Sequence, residues 1–275
     1  MLQTVTKYAY AKLNLTLGVL ARRADGYHSL DTLMQSVSLY DTVSAERAGD
    51  ILVTAVGMRL PYDNTVRRAA ERYCALVGGG AHIRVIKRLP SRAGMGGGSA
   101  DAAAALRCLD ALYGRLDEET IGRIALSVGA DVPFCLHGGL CRAQGIGEAL
   151  TPLAAAKKMY FVVAKPARGV STRALFSALT LPRALPDTGA AMAALARGDL
   201  PALGKLLTNA LQPPAAALVP EIGAIREALL SAGALGASMT GSGSAVFGLF
   251  DTREKAEAAL PAVEAYPYAR VCESV

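Results

Sequence analysis

The stretch that most constrains how this chain can fold runs from Lys87 to Leu112, KRLPSRAGMGGGSADAAAALRCLDAL. It reads as a strand end, a glycine-rich turn and an alanine-rich helix opening at Ser99 or Ala100. Gly94, Gly96, Gly97 and Gly98 admit backbone angles closed to other residues and leave little side-chain bulk around the turn. Such a turn can aim several backbone N–H groups at one place. The helix start adds free donors and a partial positive charge. Together these make an anion site, and the usual anion is a phosphate. The plain alternative is a flexible linker between two elements. Neither GxxxxGK[ST] nor a clean GxGxxG after a strand occurs, so this is a phosphate loop of another type.

Composition narrows the setting. The chain has 275 residues, enough for one large domain or two modest ones. Apolar residues make up 52% and charged residues 19%, which fits a globular protein. A net charge of +6 suits a phosphorylated substrate. The basic residues are scattered, Trp is absent and Phe is rare, which argues against nucleic acid as a partner. Cys74, Cys108, Cys135, Cys141 and Cys272 are odd in number and form no CxxC. They read as reduced thiols of a cytoplasmic protein. No apolar leader and no membrane-spanning run is expected.

Along the chain, residues 3–20 alternate. Ala11, Leu13, Leu15, Leu17 and Val19 share one face, and Lys12, Asn14 and Thr16 the other, which predicts a half-buried strand with its lysine on the exposed side. Short strands follow at 31–47 and 50–56, with an Asp25-Gly26 turn before them. Asn64 caps a helix whose buried stripe is Val66, Ala69, Ala70, Tyr73 and Val77. Residues 82–88 form the strand leading into the loop. Asp117 caps a further helix that Gly129 stops. Pro133 is expected to push Val132 out of the helical region, leaving Asp131 at an irregular corner. A capping or turn role for Asp131 stands beside a catalytic one. FCLHGGLCRA suggests a hairpin turning at Gly138-Gly139. After about residue 155 the order is β-α-(helical insert)-α-β-β-α-β, with a Ser171-capped helix through Leu179, helices across 182–217 and a helix opened by Pro220. That order fits a split βαβ, ferredoxin-like layer.

Three motifs in order, AKLNLTL (11–17), LPSRAGMGGGSADAA (89–103) and MTGSGSAVFG (239–248), resemble those of the galactokinase, homoserine kinase, mevalonate kinase and phosphomevalonate kinase (GHMP) superfamily. RADGYH (23–28) and GADVPF (129–134) resemble the branch whose acceptor is a cytidyl-diphosphate-bearing methylerythritol of the non-mevalonate isoprenoid route. The resemblance implies an α+β, two-domain GHMP kinase fold. An N-terminal α/β ATP-binding domain with a left-handed β-α-β unit (1–155) joins a ferredoxin-like C-terminal domain (156–275), with the site in the cleft between them. It implies transfer of the ATP γ-phosphate, with Mg2+, to the acceptor's 2-hydroxyl, by a monomer or homodimer.

By the same resemblance Lys12 and Asp131 are the catalytic pair. Asp131 accepts the hydroxyl proton, and Lys12 keeps it ionised. ATP is held by Pro90, Ser91, Arg92, Ala93, Gly94, Met95, Gly96, Gly97, Gly98, Ser99 and Ala100, with Asn64 and Lys87 near the nucleotide and Ser99 near the metal. Tyr27 and Phe176 stack the cytosine, His28 reads its edge, and Asn14 and Thr172 are further substrate contacts. Thr240 to Ser244 flank the phosphates or the substrate. Two departures stand out: Arg92 replaces a usual glycine, and Tyr10 a usual proline. If position 92 needs a positive φ, the arginine is strained there. Other readings remain open at this point. One is a kinase of the same superfamily for another acceptor, which has no use for RADGYH. The other is a nucleotide-binding module without turnover.

Overall fold

The computed structural model describes residues 3–177, 179 and 185–275; the expected helical stretch at 182–184 lies outside them. Two long strands run through the first part of the chain, β1 (Thr4–Arg22) and β2 (His28–Ala48). Both are longer than the sequence pattern suggests, and β2 is one strand where a shorter one was expected. The chain divides into two compact units that interleave in sequence. One comprises 1–11, 39–90 and 96–138, the other 12–38, 91–95 and 139–275, so β1 and β2 each contribute to both.

In the first unit, β4 (Gly80–Ile86) runs antiparallel to the end of β2 and parallel to β3 (Leu52–Val56). Helix α1 (Thr65–Val77) connects β3 to β4, giving a parallel β-α-β unit. Its buried residues are the predicted stripe plus Cys74, and Gly78 closes it. Helices α2 (Gly97–Tyr113) and α3 (Glu118–Val128) pack with α1 over Val43, Ala45, Ile83 and Val85 of the strands. Alanines at 102–105 let α2 lie close to its neighbours. Helix α2 begins at Gly97, two to three residues before the expected start, because Gly96 takes the left-handed conformation as its N-cap. The segment expected to be a hairpin is instead α4 (Val132–His137) followed by β5 (Leu140–Gly145). Pro133 does not exclude Val132 from the helix, because the first turn has no use for a proline's missing N–H.

In the second unit, β5 pairs with residues 30–35 of β2 and with β6 (Ala149–Leu153). The four strands β7 (Tyr160–Lys165), β9 (Gly236–Met239), β10 (Val246–Phe250) and β11 (Tyr268–Glu273) form an antiparallel sheet in the order β11-β7-β10-β9. This is the ferredoxin-like arrangement that the element order predicted. The intervening elements are α5 (Thr172–Ser177), α6 (Thr188–Arg197), α7 (Leu200–Leu206), the two-residue strand β8 (Thr208–Asn209), α8 (Gln212–Leu218), α9 (Glu221–Ser231) and, after β10, α10 (Arg253–Ala259). Ile222, Ile225 and Leu229 of α9 are fully buried as predicted, against Val162, Val246 and Phe250 among others. All five cysteines are free thiols. No helix among the described residues is long and apolar enough to cross a membrane.

Close backbone approach fixes one helix on this sheet. A Cβ added at Gly236 of β9 would stand 2.0 Å from the Gly204 carbonyl oxygen of α7, and neither backbone can yield cheaply. Gly236→Ala is therefore expected to destabilise the fold by ~1–3 kcal/mol. A lowered thermal unfolding midpoint checks this, and an unchanged one contradicts the packing.

Candidate active site

The expectation that Lys12 lies on the wet side of β1 is overturned. Lys12, Asn14 and Thr16 are as buried as the leucines between them. The polar face of the strand meets a polar layer instead of water. The Lys12 ammonium donates to Asn14 Oδ1, and Asn14 Nδ2 donates to Thr32 Oγ1 at 2.8 Å. Thr32 in turn donates to the Thr16 carbonyl. Asn14 N–H donates to Thr240 Oγ1 at 3.0 Å. A buried ammonium must be paired or hydrogen-bonded, and this layer was built for one.

The same layer receives the first half of the glycine-rich loop. Lys12 N–H donates to the Met95 carbonyl at 3.0 Å, and Thr240 Oγ1 to that of Gly94 at 3.2 Å. Ser244 and Ala245 N–H donate to the carbonyls of Arg92 and Ala93, each at 3.2 Å. Ala93 and Met95 turn their side chains inward, so this half of the loop presents backbone. Gly94 (φ 73°) is required by contact as well as by angle, since a Cβ there would lie 2.0 Å from the Thr240 carbonyl oxygen. Gly241 answers from the other side, where a Cβ would lie 3.1 Å from Lys12 Nζ. Arg92 has φ 49°, the left-handed conformation anticipated for a position usually held by glycine, and its side chain is exposed. Pro90 is half-buried and Ser91 exposed at the start of the loop. Tyr10, the second departure, is exposed and meets Tyr40 edge-on at 5.6 Å.

Two of the residues expected to read a base lie in one place. The His28 and Phe176 rings sit 4.9 Å apart and 31° from parallel. Burial, with the charge of Arg22 acting the same way, holds the His28 imidazole below its ordinary value, which favours the neutral ring with one donor and one acceptor. Tyr27 is exposed, and its N–H is held at 3.0 Å by Asp25 Oδ1. Thr172, at the start of α5, shares a 2.6 Å hydrogen bond with Ser242 of the third motif.

The second half of the glycine-rich segment opens α2. Helices α1, α3, α6, α7 and α10 each have a side chain capping the N-terminus, from Asn64, Asp117, Asp187, Asp199 and Thr252. Helix α2, like α4, α8 and α9, has none; Gly96 is its cap and Ala100 N–H makes the first intrahelical bond, to the Gly96 carbonyl. The N–H groups of Gly97, Gly98 and Ser99 precede that bond and are the donors an anion needs. Asn64 fulfils the capping alternative, accepting from Arg67 N–H at 3.0 Å while donating to the Pro61 carbonyl at 2.9 Å. Its neighbour Thr65 reaches the Gly98 carbonyl at 2.6 Å. Asp131 is half-buried at the start of α4, and its carboxylate does not cap that helix.

Lys87, expected near the nucleotide, stands at the start of α2, its Nζ 3.7 Å from where a Cβ on Gly97 would be. Its ammonium is buried and salt-bridged to both Asp41 and Asp101. Burial pulls the ammonium down, but the two carboxylates outweigh it and hold Lys87 above the ordinary lysine value. Burial pushes the Asp101 carboxyl up, with Asp41 adding to the push and Lys87 opposing it. Withdrawing the ammonium would strand buried carboxylates at a cost of ~3–5 kcal/mol, more than the ~1.5–3 kcal/mol of one charged hydrogen bond. Asp41 and Asp101 were missed in the sequence. Asp101 left a signal, the one charge in an otherwise alanine-rich turn; Asp41 looks like any polar member of an alternating strand. No three His, Cys, Asp or Glu side chains gather as a metal site among the described residues.

The two unusual φ angles in the loop predict opposite outcomes. Arg92→Gly relieves ~1–2 kcal/mol of left-handed strain against ~0.5–1 kcal/mol of glycine entropy, so the variant should be no less stable than the parent. Gly94→Ala must displace the loop from Thr240, and should weaken nucleotide binding far more than it lowers the unfolding midpoint. Calorimetric titration with a non-hydrolysable ATP analogue, beside thermal melts of both variants, checks the pair.

Known proteins resemble this chain in sequence and fold. Residues 64–139 match the GHMP kinases N terminal domain and residues 191–269 the GHMP kinases C terminal family. The 4-diphosphocytidyl-2-C-methyl-D-erythritol kinase of Desulfitobacterium hafniense is 42% identical over 92% of this chain and 89% of its own. That of Parvibaculum lavamentivorans is 42% identical over 96% and 95%. A crystal structure of a 4-(cytidine 5'-diphospho)-2C-methyl-D-erythritol kinase superposes with a TM-score of 0.85 at 37% identity, over 98% of this chain and 99% of that one. The homoserine kinase of Cytophaga hutchinsonii shares the fold, with a TM-score of 0.81 at 23% identity. With a GHMP kinase model matched in each half of its sequence and relatives 42% identical over 92% and 96% of its length, the chain belongs to the 4-diphosphocytidyl-2-C-methyl-D-erythritol kinase family of GHMP kinases.

Proposed function

We propose that this protein transfers the γ-phosphate of ATP to the 2-hydroxyl of 4-diphosphocytidyl-2-C-methyl-D-erythritol. The single observation that carries the reading is the uncapped start of α2 behind the glycine-rich turn, where the N–H groups of Gly97, Gly98 and Ser99 await an anion. The backbone from Pro90 to Ala100 cradles the phosphates, and Asn64 bounds the nucleotide through the helix it caps. Phosphoryl transfer passes through a loose transition state, so positioning and charge compensation carry most of the rate. Asp131 orients the acceptor hydroxyl and takes its proton. Lys12, held by Asn14, supplies positive charge at the reacting oxygens. Mg2+ accompanying the nucleotide would neutralise phosphate charge, and the Ser99 hydroxyl is the group here that would hold it.

Tyr27 and Phe176 stack the cytosine and His28 reads its edge, with Asn14 and Thr172 contacting the rest of the acceptor. The His28–Phe176 contact supports this, because a cytidyl acceptor needs an aromatic face beside a neutral donor–acceptor ring. The free thiols suit a cytoplasmic enzyme. Asp131→Asn should lower kcat by about 10³-fold or more while ATP still binds, on the scale of losing a general base. Turnover near the parent rate in a coupled ADP assay would remove Asp131 from this role. Tyr27→Ala should raise the acceptor KM more than it lowers kcat; the reverse pattern contradicts base stacking.

A further inference from the structure

The chain leaves the sheet at Ile86, yet the next three residues remain held by one side chain. Asp41, fully buried on β2, accepts from Leu89 N–H at 2.8 Å, from Arg88 N–H and from the Lys87 ammonium. The neighbouring Thr42 accepts from the Arg88 guanidinium at 2.9 Å. The Lys87 ammonium then bridges from Asp41 to Asp101, one turn into α2. It lies directly beneath the helix start, 3.7 Å from where a Cβ on Gly97 would be. One ammonium therefore ties the strand that leads into the glycine-rich segment to the helix that leaves it. Asp101 Oδ1 has no hydrogen-bond partner among the described residues, so the Asp101 carboxylate depends on this ammonium for its compensation.

We propose that Asp41 is a positioning residue for nucleotide binding: by gripping Lys87, Arg88 and Leu89 it sets the spacing between the two ends of the glycine-rich segment. Lys87 acts through this tie and touches no phosphate. The inference rests on the kinase reading of the loop. Asp41→Asn keeps the shape and an acceptor oxygen for the backbone, but turns an amide donor against the ammonium. The Kd for a non-hydrolysable ATP analogue should rise about 10-fold or more, with the acceptor KM within about 2-fold of the parent, a split that general loss of stability would not produce. Adding Lys87→Gln to Asp41→Asn gives two amides that can pair, and should recover most of the lost ATP affinity.

The test is calorimetric titration and steady-state kinetics on the full-length protein and both variants, each verified as folded by its melt. Where Asp41→Asn does not fold, Asp101→Asn carries the same comparison with the backbone grip intact. A folded Asp41→Asn variant with parental ATP affinity overturns the inference, as does equal loss at both substrates. A double variant weaker than Asp41→Asn alone also overturns it, by making Lys87 a direct ligand. If the parent itself binds no ATP analogue, the kinase reading falls and takes this inference with it.

Discussion

Everything at this site depends on how closely one stretch of bare backbone lies against another. Residues 92–95 rest on the 240–245 turn through carbonyls and amides, with Gly94 and Gly241 facing each other where no Cβ has room. Backbone bonds vary less with side-chain motion than side-chain contacts do, so these contacts define the shape of the loop. Preorganised donors need no rearrangement when charge develops, which is where electrostatic catalysis gains most. The arginine at φ 49° shows the strength of that hold, for the surrounding bonds keep a non-glycine residue in a conformation it disfavours.

Buried charge is handled in two different ways. Lys12 donates into a chain of polar groups running through Asn14, Thr32 and Thr16. Lys87 is matched by two carboxylates, and its charge is spent inside the protein. Asn209 makes a third kind of anchor. Its amide donates to the carbonyls of Met239 and Gly241 at 2.7 and 2.8 Å, fixing the turn on which the loop rests.

Much of the fold is legible from local pattern. The stripe from Val66 to Val77, the caps at Asn64 and Asp117, and the ferredoxin-like order after residue 155 all follow from periodicity and cap chemistry. The misreadings share one cause, that local pattern gives contrast without context. Alternation along β1 shows that its two faces differ, but not that one of them is wet. Pro133 forbids a helix only beyond the first turn, and the pattern does not say which turn it is in.

The sequence by itself determined the family, the glycine-rich turn and the residue types that phosphoryl transfer needs, because these are properties of short segments: backbone freedom, helix starts and motif order. Only the tertiary structure decided what each charged side chain is free to do. Asp41, Lys87 and Asp101 are brought together from three elements separated by 46 and 14 residues, and their compensation is a matter of distance in space. Coulomb interaction and desolvation depend on that distance and on burial, neither of which is written in any one stretch of chain.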